Sequence, residues 1–125
     1  MLEKIATASA PAAVGPYSQA IVCNGMIYAS GQLGLVPETG KLAEGGVAAQ
    51  AEQACKNVAA VLAAKGITLD NVVKTTCFLA DIGDFAEFNG VYAKYFTSKP
   101  ARSCFAVAAL PMGGLCEIEV IASLN

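Results

Sequence analysis

Arg102 is the only arginine in the chain, and it lies in the apolar run Pro100-Ala101-Arg102-Ser103-Cys104-Phe105-Ala106-Val107. A guanidinium is permanently charged and offers a rigid fork of donors that matches a carboxylate. Burying it without a partner is costly. Downstream, Leu115-Cys116-Glu117-Ile118-Glu119-Val120-Ile121 sets two carboxylates among aliphatic residues. Two readings follow. Arg102 pairs with an internal acid, Glu117 or Glu119, or it holds an anionic ligand. Both hold together if a glutamate orients the guanidinium while its fork faces a cavity.

What the chain lacks narrows the chemistry further. It has no histidine, which excludes Ser–His–Asp and Cys–His nucleophile systems and most transition-metal sites. Acid–base work at neutral pH then falls to carboxylates, tyrosine, cysteine, lysine or bound water. The five cysteines are widely spaced, with no CxxC pair. They read as small buried hydrophobes in a reducing compartment, not as a disulfide frame or zinc site. Net charge is −2 and the lysines are scattered singly, so no basic stripe marks a nucleic-acid surface. No apolar run is long enough to span a bilayer, and the N-terminus has no signal-peptide shape. The expected setting is the cytoplasm.

The elements that must position Arg102 and the glutamates follow from pattern. With 125 residues the chain suits one domain, 1–125. Glu3 to Thr7 makes a short first strand. Gly15-Pro16-Tyr17-Ser18-Gln19 is a turn. Ala20–Cys23 and Met26–Ser30, divided by Asn24-Gly25, form a hairpin. Residues 31–46, rich in glycine, read as a long loop. Val47 to Lys65 has helical apolar spacing (Val47, Ala51, Ala54/Cys55, Val58, Val61/Leu62), with Glu52, Gln53, Lys56 and Asn57 on the polar side. Gly66 stops it. Val72–Leu79 is β-branched and reads as a strand.

Asp84 and Glu87 have the spacing of a capping box. The helix they open carries an aromatic stripe, Phe85, Phe88, Tyr92 and Tyr95/Phe96, read as core, with Asn89 at its edge. Two more strands follow, one holding Arg102 and one holding Glu117, with a hairpin-like break at Met112-Gly113-Gly114 between them. The expected class is α+β: a mixed sheet with two helices packed on one face. Alternation puts Glu117 and Glu119 opposite Cys116, Ile118 and Val120. The uncovered face would then carry apolar groups, a few acids and Arg102. The chain is 55% hydrophobic and only 14% charged. Self-association through that face is therefore expected, giving a closed homo-oligomer.

Gly-Pro-Tyr-Ser-Gln at 15–19, Ser-Gly-Gln at 30–32, Val-Lys-Thr-Thr at 73–76, Asn89, Pro-Ala-Arg-Ser at 100–103 and Glu-Ile-Glu at 117–119 resemble, in order and spacing, the RidA (YjgF, endoribonuclease L-PSP) family. The resemblance covers essentially the whole chain. It implies a chorismate-mutase-like fold and a homotrimer with ligand clefts between subunits. It implies hydrolysis of enamines and imines such as 2-aminoacrylate, 2-iminopropanoate and 2-iminobutanoate to 2-oxo acids and ammonia, without metal or organic cofactor. Carried over by motif, Arg102 grips the substrate carboxylate and Glu117 positions water at the imine carbon. Backbone groups of Gly31 and Cys104 contact the ligand, Tyr17 closes over the cleft, and Ser30 and Asn89 line it. The resemblance therefore gives the Cys104 thiol no nucleophilic role.

Two other functions compete with the deaminase. One is cleavage of single-stranded RNA, against which the acidic balance and missing histidine argue. The other is a binding or chaperone-like trimer with no turnover, whose clefts merely hold small carboxylates, for which the arginine fork would serve equally.

Overall fold

A computed structural model describes residues 2–125. The strands are β1 (Glu3–Ile5), β2 (Ala20–Cys23), β3 (Met26–Ala29), β4 (Gln32–Leu33), β5 (Leu35–Val36), β6 (Lys41–Leu42), β7 (Val72–Leu79), β8 (Ala101–Ala106) and β9 (Cys116–Ser123). The helices are α1 (Gly46–Ala63) and α2 (Phe85–Tyr95). The main sheet runs β1-β2-β3-β9-β7-β8, with β4 also paired to β9, and β5 and β6 form a separate ribbon. The sheet is mixed: β7 and β8 are parallel, and the other pairs are antiparallel.

Local chemistry explains most of these elements. Asn24 (φ 52°) and Gly25 (φ 76°) take the left-handed conformations of a two-residue hairpin turn between β2 and β3. The buried side of α1 is Val47, Ala51, Ala54, Cys55, Val58, Val61 and Leu62. Its small residues let the helix lie close on β9, which turns Cys116, Ile118, Val120 and Ala122 toward it, all buried. Gly66, at φ 72°, ends the last turn as expected.

Four expectations need correction. The strands of Arg102 and Glu117 are not hairpin neighbours, because β7 lies between β8 and β9. A parallel pair needs a long crossover, and α2 supplies it between β7 and β8. The capping box does not form. The chain already turns through Ile82–Asp84, Asp81 caps that turn by accepting from the Gly83 N–H at 2.8 Å, and the Asp84 side chain caps nothing. The 31–46 loop is not structureless, since it holds β4 and the β5–β6 ribbon. Asn57 is not on a polar side: it is 1% exposed.

Both helices cover the same sheet face. On that face Thr75, Cys77 and Leu79 of β7 meet Val120, Ile118 and Cys116 of β9 in register. The opposite face carries Lys74, Thr76, Phe78, Phe105, Glu117, Glu119 and Ile121, with Tyr28 and Phe105 48% and 44% exposed. Phe78 and Phe105 meet edge to face at 5.5 Å.

Candidate functional site

Arg102 pairs in register with Thr75, and Cys104 with Cys77. Thr75 and Cys77 are buried on the helix-covered side. Alternation therefore places Arg102 and Cys104 on that side too, so the expectation that Arg102 lies on the uncovered face is corrected. β8 is the last strand of the sheet, so Arg102 stands at its margin, half-buried beside α2. Its Nη1 donates to Asn89 Oδ1 at 2.7 Å. Its guanidinium carbon lies 4.7 Å from the Tyr92 ring centroid and 5.6 Å from that of Phe85. Neither Glu117 nor Glu119 is its partner. Among the described residues the ion pair within 4 Å is Lys65–Glu3, at 3.0 Å. Arg102, Asn89, Tyr92 and Lys99 line a cleft of about 450 Å³.

Glu117 lies on the other face, opposite Phe78 of β7 and Leu33 of β4. Burial, and then the neighbouring Glu119 carboxylate, push its carboxyl above the ordinary range. Gly31 makes this position possible: a Cβ there would stand 2.5 Å from Glu117 Oε2. Tyr17, Ser30, Gly31, Leu33, Met112 and Glu117 line a second cleft, of about 630 Å³. Tyr17 is 52% exposed at its rim.

Ser30 shapes this cleft rather than presenting its hydroxyl to it. Its Oγ donates to Ser18 O at 2.7 Å and its N–H to Gln19 O at 2.9 Å, which ties down the Gly15–Gln19 turn. Six of the seven expected site residues thus divide into two groups. Arg102 and Asn89 share one cleft, and Tyr17, Ser30, Gly31 and Glu117 share the other. Cys104 lines neither cleft. Burial raises its thiol, and the Arg102 charge opposes that only in part. Cys77 and Cys116 are pushed up to about 12, chiefly by burial. Such thiols stay protonated and inert. Among the described residues, no group of three His, Cys, Asp or Glu side chains could hold a metal ion, and no helix is long and apolar enough to cross a membrane.

Three buried amides support the Glu117 cleft in ways that their sequence positions do not reveal. Asn57 Nδ2 donates to Leu33 O (3.1 Å) and Leu35 O (2.8 Å), fixing β4 and the start of β5. Gln50 Oε1 accepts the Leu115 N–H at 2.8 Å, at the entry to β9. Gln19 accepts from Thr7 N and donates to Thr7 O and Pro11 O, binding the segment before β2. The signal that the first two are buried was present: positions 47, 50, 54, 57 and 61 alternate by three and four, which is one helix face.

A model of the family described as endoribonuclease L-PSP matches residues 7–124. A Bos taurus protein named 2-iminobutanoate/2-iminopropanoate deaminase is 56% identical over 119 residues, 94% of this chain and 87% of that protein. The solved structure of YEO7 from yeast superposes with a TM-score of 0.96 at 52% identity, covering 100% of both chains. That of E. coli TdcF with bound serine does so with a TM-score of 0.93 at 38% identity, covering 98% of this chain and 99% of that one. The chain belongs to the endoribonuclease L-PSP family, the RidA family that its sequence motifs resemble.

Proposed function

We propose that this protein hydrolyses small 2-imino and 2-enamino carboxylates to 2-oxo acids and ammonia. Its site joins the Arg102 cleft of one copy to the Glu117 cleft of the next. The observation that carries the reading is the division of the site: a guanidinium without a carboxylate partner on one face, and a carboxyl with raised proton affinity on the other. The 2-iminobutanoate/2-iminopropanoate deaminase name of a 56% identical relative supports the chemistry. The serine bound in E. coli TdcF supports a ligand of amino-acid size.

In this reading Arg102 takes the substrate carboxylate by two parallel hydrogen bonds. Glu117 holds a water and accepts one of its protons as the oxygen adds to the imine carbon. An enamine first tautomerises to the imine; Glu117 then passes the water's proton to the nitrogen and carries the hydroxyl proton there as well, so that the tetrahedral intermediate collapses. The C–N bond breaks, ammonia leaves, and the 2-oxo acid remains. Raised proton affinity suits a carboxylate to that task. Cys104 and Gly31 contribute backbone groups, and Tyr17 covers the cleft.

A contact of one patch with a different patch on the next copy is head-to-tail, and such contacts close into rings when the rotation allows. The apolar open face, with Tyr28 and Phe105 exposed, supports a closed assembly built this way, and the family resemblance makes it a homotrimer. The acidic balance and free cysteines fit a small-molecule enzyme of the cytoplasm.

The test follows imine trapping by semicarbazide while threonine dehydratase makes 2-iminobutanoate. Wild type should lower trapping, and Arg102→Ala and Glu117→Gln should each fail to. Dissociated and reassembled together, the two variants should regain activity, because mixed rings contain intact sites. No regain from mixed rings would refute the shared site, and full activity of Arg102→Ala would refute the deaminase mechanism.

A further inference from the structure

Phe85, Asn89 and Tyr92 stand at i, i+4 and i+7 on α2, one face of the helix. Arg102 lies along that face. Asn89 takes one Nη1 hydrogen, but one hydrogen bond leaves a long side chain free to pivot about it. The two rings, at 4.7 and 5.6 Å from the guanidinium carbon, limit the pivot. The Tyr92 ring is itself fixed. It stacks on Phe96 at 4.5 Å, and its hydroxyl lies 2.8 Å from Thr75 Oγ1. Thr75 is the register partner of Arg102 on β7. The chain of contacts therefore closes on itself, from Arg102 to the Tyr92 ring, through its hydroxyl to Thr75, and across the sheet back to Arg102.

We propose that Tyr92, seconded by Phe85, is a positioning residue for the carboxylate-binding guanidinium. Its ring face holds the plane of Arg102, and the Thr75 contact holds the ring. This rests on the reading of Arg102 given above. The aromatic stripe that looks like core in the sequence thus has two uses: Phe88 and Phe96 are buried, while Tyr92 also faces the charge. A cation over an aromatic face is favourable at exposed sites and more so when desolvated. The electron-rich ring also leaves the donor edges of the fork free for a ligand.

The test is titration calorimetry of the assembled protein with 2-oxobutanoate, alongside KM and kcat for imine hydrolysis. Tyr92→Met keeps a flexible filler without a ring face. It should weaken 2-oxobutanoate binding about 3- to 30-fold. KM should rise in step while kcat stays nearly constant, since the carboxylate is gripped alike in ground and transition states. Tyr92→Phe, which keeps the ring, should recover most of the affinity. Wild-type binding by folded Tyr92→Met would overturn the inference, and so would equal losses in both variants. Should Tyr92→Met fail to fold, Phe85→Ala at the half-exposed ring gives the same readout, with about a 2- to 5-fold loss expected and an unchanged affinity overturning it. Arg102→Ala runs in parallel. If it binds 2-oxobutanoate like wild type, the proposed function fails. If it loses binding while the ring variants do not, only this inference fails.

Discussion

Gly31→Ala separates tolerance of the fold from tolerance of the site. An added Cβ would lie 2.5 Å from Glu117 Oε2, 2.8 Å from its Cδ and 3.0 Å from its Cγ. Ordinary contact begins near 3.4 Å, so the carboxylate must retreat by about 1 Å. Gly31 does not sit at a positive φ, so alanine adds no backbone strain. The atoms it meets belong to a flexible side chain that can change rotamer, at about 1 kcal/mol or less. The fold should therefore survive with a small change in Tm. Misplacement of a reacting group by 1 Å can cost about 100-fold in rate. The semicarbazide assay should show kcat/KM down by about that factor, mostly in kcat. In a Glu117→Gln background the same substitution should cost little more, because both act on one carboxylate. Activity of Gly31→Ala within about 3-fold of wild type, or losses that add fully in the double variant, would refute the reasoning.

Two further outcomes follow from the buried polar groups. The Glu117 carboxyl is raised in the folded chain by burial and then by Glu119, so its charged form opposes folding. That contribution is absent at low pH, where the group is protonated in both states, grows as pH rises above the unfolded value, and is complete once pH passes the raised folded value. Glu117→Gln should thus raise Tm at pH 7 and leave it unchanged near pH 3, which scanning calorimetry at the two pH values would check; equal shifts at both would sink the assignment. Asn57→Ala strips the carbonyls of Leu33 and Leu35 of their donor and should cost about 2–4 kcal/mol in urea unfolding. A loss below about 0.5 kcal/mol would mean that α1 does not anchor β4 in this way.

Elements carrying their own local signal were legible in the sequence. The Asn24-Gly25 hairpin needs only a turn that tolerates positive φ. Val72–Leu79 needs only its β-branched side chains. α1 follows from its apolar spacing, and even the buried Asn57 obeys that spacing although its polarity suggested the opposite side. The Asp84 cap failed because capping depends on the conformation of the residues before it, and Asp81 had already turned the chain. The bracing roles of Gln50, Asn57 and Gln19 were not legible, because an amide shows its use only when the carbonyl or N–H it reaches is in place.

The sequence by itself determined which groups could act: one guanidinium, two nearby carboxylates, no histidine and five thiols. It also determined that Glu117 and Glu119 oppose Cys116, Ile118 and Val120, since alternation along a strand is local. The tertiary structure alone decided which sheet face each set would occupy. It inserted β7 between the strands of Arg102 and Glu117, turned the arginine toward α2 and the glutamate away from the helices, and gave Arg102 an amide and two rings in place of an acid. Strand order and face depend on where the helices bury the most apolar surface. That is a sum over the whole chain, which no window of sequence contains.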